Sequence, residues 1–189
     1  MRRAVFVDRD GVLIEAVMRS GRAGSARTSA EFHIDPQSST AVQRLSHAGF
    51  AVVVISNQPD IGRGLVSPTE IEAQNTELQR ILPVDGVYLC PHDGADGCHC
   101  RKPRPGMLVD AARDLELDLS GSWMIGDRWV DLAAAQAAGV APVLLTRPWS
   151  WEPTSAGIPP DDLRQSPSAD SLEGCVDLIL AASGGLDET

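Results

Sequence analysis

The sequence predicts an α/β fold, a parallel sheet with helices packed on both of its faces. Three observations predict it. Short apolar runs alternate along the chain with stretches of helical periodicity. The run Ala51–Ile55 (AVVVI) is continuous and β-branched, as a strand buried on both faces requires. Polar and acidic residues follow the runs directly, at the carboxyl ends of strands where such Rossmann-like sheets bind their ligands.

The elements follow in order. Ala4–Val7 is a first strand ending at Asp8. Glu15–Ala30 is rich in Gly, Ser and Arg without clear periodicity, which predicts a mobile flap over about residues 13–30. In Ser38–Ala48, Ala41, Val42, Leu45 and Ala48 form one helical stripe, and Gly49 stops it. The strand Ala51–Ile55 comes next. Ser67-Pro68-Thr69-Glu70 supplies an N-cap, a proline in the first turn and a capping-box glutamate, opening a helix to about Leu82. Gly86–Leu89 is a strand, and Cys90–Pro105 a loop dense in Cys, His, Gly and Pro. Leu108, Ala111, Ala112 and Leu115 predict a helix over Met107–Leu117. A strand at Trp123–Ile125, an alanine-rich helix at Asp131–Ala138 and a strand at Pro142–Leu145 complete the alternation. The Pro- and Ser-rich stretch Trp149–Ala169 reads as irregular, about 148–170, and Val176–Leu180 fits either an edge strand or part of a helix.

The chain has 189 residues, which at about 100–200 per domain suggests one domain. Sixteen basic residues against 26 acidic leave a net charge of −10, which argues against a duplex-DNA or anionic-membrane surface. No run approaches the roughly 18 apolar residues of a membrane helix, and Ala4–Val7 is too short for a signal peptide's apolar region. The expected location is the cytoplasm, where the four cysteines stay reduced. Lys102 is the only lysine beside 15 arginines, which points to a place that needs a compact ammonium.

Candidate chemistry gathers at the strand ends. Asp8 and Asp10 would point to opposite faces in extended backbone, so a turn must begin here if both face one site, and Gly11 makes such a turn easy. Asp127 and Asp131, four residues apart where a helix begins, can share one face of its first turn. Either pair alone also suits a solvated strand end or a helix cap. Together they repel unless a hard cation such as Mg²⁺ neutralises them. Ser56-Asn57-Gln58 follows the best-defined strand and offers a hydroxyl and two amides to phosphoryl oxygens, which Lys102 would meet with positive charge. Cys90, His92, Cys98 and Cys100 supply four soft ligands within eleven residues, the makings of a closed, structural tetrahedral zinc site. His99 lies between two of these ligands and points elsewhere. Cys175 reads as core, and Trp149 and Trp151 as core or rim packing. Arg19, Arg22 and Arg27 in the flap are either solvated or anion contacts that close over a substrate.

In order along the chain, FVDRDGV, ISNQ, CRKP and IGDRWVD resemble the four motifs of the haloacid dehalogenase-like phosphohydrolases, over Val5–Thr146. The zinc loop resembles the subgroup that holds heptose bisphosphate phosphatases and histidinol-phosphate phosphatases. Gly62-Arg63-Gly64 and the run after Cys100 lean to the former, while the short zinc-ligand spacing and IGDR also occur in the latter. Leu13-Ile14-Glu15 stands where the heptose enzymes usually carry an asparagine, so the sugar stays open.

The resemblance implies a site without a large cap, open apart from the flap and the zinc loop. It implies Asp8 as nucleophile, Asp10 as general acid and base, and Ser56 and Lys102 as stabilisers of the transferring oxygens. It further implies Mg²⁺ on Asp8, the Asp10 carbonyl and Asp127, with Asp131 in support, and substrate contacts from Asn57, Arg101 and Arg128. The expected substrate is a small sugar phosphate, handled by a monomer without nucleic-acid or membrane partners. A receiver-like phospho-acceptor domain is disfavoured by length and by the order of its acids. A non-catalytic zinc module would have no use for Asp8 and Asp10.

Overall fold

A computed structural model describes residues 1–184 of the chain; the last five positions of the domain expected from the sequence lie outside the described residues. In chain order the elements begin with β1 (Arg2–Asp8), β2 (Val17–Arg19), β3 (Arg22–Gly24), α1 (Ser38–His47), β4 (Ala51–Asn57), α2 (Pro59–Gly62) and α3 (Pro68–Ile81). They continue with β5 (Gly86–Cys90), α4 (Gly106–Asp114), β6 (Leu117–Gly126), α5 (Trp129–Ala137), β7 (Ala141–Leu145), β8 (Ser168–Ala169) and α6 (Leu172–Gly184).

Six strands form one parallel sheet in the order β5-β4-β1-β6-β7-β8. Alternate side chains of the central strands enter two separate cores. Val5, Val7, Val52 and Val54 pack with α1, α6 and the end of α3, whereas Ala4, Phe6, Val53 and Ile55 pack with α4 and α5. Both faces are covered, and that is why these strands show no polar alternation. The register sets Asp8 beside Ile55 and Val7 beside Ile125, so the carboxyl ends of β1, β4 and β6 open on one place.

The Ser67 hydroxyl caps α3 by accepting the Glu70 N–H at 3.1 Å, as its motif requires. Several expectations need correction. The helix expected over Met107–Leu117 ends at Asp114, because Glu116 turns with a φ of +53° and Leu117 opens a ten-residue strand. Leu115 still packs into the core its spacing implied, which is how the stripe outran the helix. The flap is an antiparallel hairpin of β2 and β3, closed by Ser20-Gly21 with φ values of +49° and +76°. The Pro- and Ser-rich stretch is not wholly irregular: it contains a 3₁₀ turn at Asp161–Gln165, whose Leu163 is buried, and then β8. Val176–Leu180 lies within α6, and Cys175 is core. The one-turn helix α2 is too short for periodicity to show.

Candidate active site

Beyond β1 the chain turns at Arg9, whose carbonyl accepts the N–H groups of Leu13 and Ile14. Gly11 is required there: its φ is +91°, and a Cβ would stand 2.3 Å from Asp127 Oδ2. The turn brings Asp8 and Asp10 together on the wall of a cavity of about 880 Å³, which Asn57, Arg101, Lys102, Asp127, Arg128 and Asp131 also line.

Lys102 is buried at its centre. Its ammonium donates to Asp8 Oδ1 at 2.7 Å and to the Ile55 carbonyl at 3.0 Å, and pairs with Asp131 Oδ1 at 2.7 Å. Burial pulls its pKa down, but Asp131 and Asp8 outweigh that and hold it above the ordinary lysine value. A planar guanidinium could not spread its donors in this way. Asn57 grips the main chain of Lys102, donating from Nδ2 to its carbonyl at 3.2 Å and accepting its N–H at 3.1 Å.

Two carboxylates pair with this single ammonium and a third, Asp127, stands beside them. Oxygens of Asp8, Asp127 and Asp131 all lie within 4.8 Å of one another. Burial, reinforced by Asp131 and Asp10 against the pull of Lys102, pushes the Asp8 pKa up to about 7. Burial and then the charges of Asp8 and Asp131 likewise raise Asp127. Asp131 accepts the Arg128 N–H on one oxygen at 2.9 Å, and its other oxygen, Oδ1, pairs with the Lys102 ammonium but accepts no hydrogen bond. Asp127 Oδ1 is likewise buried without a hydrogen-bond partner, and it has no cation beside it at salt-bridge distance among the described residues. An excess of buried hard oxygens, two of them without a hydrogen-bond partner, fits a divalent cation such as Mg²⁺, which Asp8 and Asp127 would hold.

Asp10 sits under four donors. Arg9 reaches it from Nε at 3.0 Å and a terminal nitrogen at 3.2 Å, Gln58 Nε2 at 2.7 Å, and Ser56 Oγ at 3.4 Å. Arg9 is fully buried, and its remaining nitrogen donates to Asn75 Oδ1 on α3 at 2.9 Å.

The four residues expected to hold zinc converge. Cys90 Sγ lies 3.5 Å from His92 Nδ1 and 3.6 Å from Cys98 Sγ, and Cys100 Sγ lies 3.3 Å from His92 Nδ1. Zinc bonds of about 2.3 Å to sulfur and about 2.0 Å to nitrogen give tetrahedral edges of roughly 3.5–3.8 Å, so the four atoms fit that ion. The sulfurs are far outside disulfide distance, and all four cysteines are free. His99 turns away to Asp110. Arg101 donates to the His92 carbonyl at 3.1 Å, which ties the zinc loop to the cavity wall. Arg63 adds a second tie, gripping Asp93 at 2.7 and 2.9 Å and holding that carboxyl down to about 2.

The hairpin arginines divide. Arg19 pairs with Glu31 and Arg27 with Asp60 Oδ2 at 2.7 Å, while Arg22 is exposed on the cavity wall. Arg128 donates to the Ala23 carbonyl on β3 at 2.9 Å. Sequence reasoning missed the parts played by Arg9, Gln58, Asn75 and Trp149, and missed Glu152–Ala156 as a stretch of cavity wall. Arg9 carried a signal, a charge flanked by two aspartates after a buried strand. Asn75 and Trp149 carried none.

The HAD-hydrolase-like family profile matches residues 99–148. The D-glycero-beta-D-manno-heptose-1,7-bisphosphate 7-phosphatase of Pseudomonas aeruginosa is 38% identical over 149 residues, 76% of this chain and 81% of that protein. Its namesake from Bordetella bronchiseptica is 36% identical over 148 residues, 76% of this chain and 80% of that one. The crystal structure of D,D-heptose 1,7-bisphosphate phosphatase from B. bronchiseptica, complexed with magnesium and phosphate, aligns with a TM-score of 0.79 at 31% identity, covering 95% of this chain and 99% of that one. A putative HAD-like phosphatase from Mesorhizobium loti aligns at 0.72 and 29% identity, covering 97% and 87%.

Proposed function

The chain belongs to the haloacid dehalogenase-like hydrolases and is a phosphatase, and from that premise we propose that its substrate is D-glycero-β-D-manno-heptose 1,7-bisphosphate, cleaved at the C7 phosphate. The observation that carries this choice is the charge left over in the cavity. Arg22, Arg101 and Arg128 line it without a carboxylate partner among the described residues, while Lys102 is committed to Asp8 and Asp131. Guanidinium groups to spare suit a substrate with a second phosphate. Histidinol phosphate would bring an ammonium to the same wall and be repelled.

In this reading Asp8 attacks phosphorus through the oxygen that Lys102 leaves free, forming an aspartyl-phosphate as the sugar alkoxide departs. Asp10 protonates that alkoxide, then takes a proton from the water that attacks the aspartyl-phosphate and releases phosphate. Lys102 brings positive charge to the wall where the transferring oxygens would sit and Asn57 holds its main chain in place, while Ser56 would have to turn from Asp10 to reach them. Asp8, the Asp10 carbonyl and Asp127 hold Mg²⁺, which neutralises charge so that an anion can approach an anionic ester. The zinc, closed by four protein ligands, is structural. The free thiols and the net charge of −10 support a cytoplasmic enzyme acting as a monomer on a small metabolite.

Comparing kcat/KM on the heptose bisphosphate and on histidinol phosphate tests the substrate, with Asp8→Asn as the inactive control. A preference for the bisphosphate of about 100-fold or more, near 3 kcal/mol of transition-state binding, is expected. Equal and poor rates on both esters would leave the phosphatase and remove the substrate.

A further inference from the structure

Asp127 is held unequally at its two oxygens. Oδ2 accepts the indole N–H of Trp149 at 2.5 Å, whereas Oδ1 is buried and free. Trp149 belongs to a turn built to present it. Ser150, fully buried, accepts the Arg147 N–H on its hydroxyl at 2.9 Å and donates its own N–H to the Arg147 carbonyl at 3.1 Å. The same turn is fastened to Trp129, the first residue of α5. The Trp129 main-chain N–H donates to the Ser150 carbonyl at 3.0 Å, and its indole donates to the Glu152 carbonyl at 3.0 Å. Trp149 and the carboxylate it touches are therefore parts of one braced piece. On the other side of Oδ2 stands Gly11, so close that a methyl group would not fit.

We propose that Trp149 is a positioning residue that makes Asp127 a one-oxygen ligand and thereby selects Mg²⁺ over Ca²⁺. The small ion takes single carboxylate oxygens at about 2.0–2.1 Å in a near-octahedral shell. The larger one takes six to eight oxygens at about 2.3–2.6 Å and often uses both oxygens of a carboxylate. With Oδ2 pinned to the indole and seated in the space that a Cβ on Gly11 would fill, Asp127 offers Oδ1 alone. Partners that orient metal ligands commonly govern affinity in this way. Trp149 lies beyond the stretch Val5–Thr146 that carries the four motifs, so the device is separate from them. The inference rests on the proposed role of Asp127 as a metal ligand.

Calorimetric titration of the zinc-loaded protein with Mg²⁺ and with Ca²⁺, in the absence of substrate, tests it. Trp149→Phe keeps the ring and removes the N–H. The Mg²⁺-to-Ca²⁺ affinity ratio is expected to fall about tenfold. Trp151→Phe should leave the ratio unchanged, because the phenyl ring keeps the packing beside Trp129 and Arg164 and no Trp151 N–H bond to Asp127 is lost. A Trp149→Phe ratio equal to wild type, whether both affinities hold or both fall together, overturns the proposal. A second measurement needs no variant to fold: indole N–H exchange in the intact ¹⁵N-tryptophan-labelled chain. The Trp149 proton stays protected when Mg²⁺ saturates the site; rapid exchange in that state would mean the indole lets go of Asp127, and the idea fails. A shifted ratio in a protein that cleaves no phosphate ester would sink the proposed function alone, and an unshifted ratio in an active phosphatase would sink this inference alone.

Discussion

The Asp10 carboxyl is the most heavily bonded functional group in the site, and the bonds reach back to a residue with no access to substrate. Asn75, outside the cavity on α3, holds Arg9, and Arg9 holds both oxygens of Asp10. Asn75→Leu leaves a buried guanidinium nitrogen without its acceptor and lets the fork tilt. If Asp10 protonates the leaving group, the loss depends on how much that group needs the proton. We expect kcat/KM to fall about tenfold or more on a sugar phosphate but to change little on p-nitrophenyl phosphate, whose leaving group departs unprotonated. Equal losses on both substrates would reduce Asn75 to a structural role. At this scale legibility followed sequence distance. Asp8, Asp10, Ser56, Lys102 and Asp127 were readable because each falls beside a recognisable strand end or motif. Asn75 meets Arg9 across 66 residues and Trp149 meets Asp127 across 22, and no local pattern records either meeting.

Among the elements, the proposed zinc loop is joined to the acidic cluster through the chain that leaves it. Cys100 is followed at once by Arg101, bonded to the His92 carbonyl, and by Lys102, bonded to Asp8. Gly106 then packs against the loop so tightly that a Cβ would lie 2.4 Å from the His99 carbonyl. Cys98→Ser should release zinc, as metal analysis would show, and lower kcat/KM by about 10–100-fold while far-ultraviolet circular dichroism stays nearly constant. Zinc loss with full activity would refute the coupling. The four ligands were plain in the sequence because their chemistry is local and their spacing short. The hairpin β2–β3 was not, although Ser20-Gly21 is a turn signal, because strands of three residues are too short to show alternation. The end of α4 was misplaced for the opposite reason, since Leu115 keeps the apolar spacing one residue past the last helical turn.

For the molecule as a whole, the sheet is stabilised by two apolar cores, and the site at its edge works against them. Asp8 has an ordinary pKa of 3.8, raised to about 7 by burial and by Asp131 and Asp10, against the pull of Lys102. Asp127 is raised beside it. Between about pH 4 and pH 7 the Mg²⁺-free folded chain therefore binds more protons at these groups than the unfolded chain does, so their ionisation erodes stability as pH rises through that window. A divalent cation removes the conflict, because its binding requires the ionised carboxylates. The rise in Tm on adding Mg²⁺ to the zinc-loaded protein should accordingly be larger at pH 8 than at pH 5. The same reasoning predicts that Asp8→Asn, the inactive control of the proposed mechanism, raises the Tm of the Mg²⁺-free protein at pH 8 by roughly 2–8 °C. It should also flatten the decline between pH 4 and pH 7, since the neutral amide keeps the shape of the carboxyl without its charge. A lower Tm for Asp8→Asn at pH 8 would mean that the attraction between Asp8 and Lys102 exceeds the cost of burying the carboxylate. The acidic cluster would then hold the fold together without a metal, and the physical case for a cation between Asp8 and Asp127 would lose its electrostatic half.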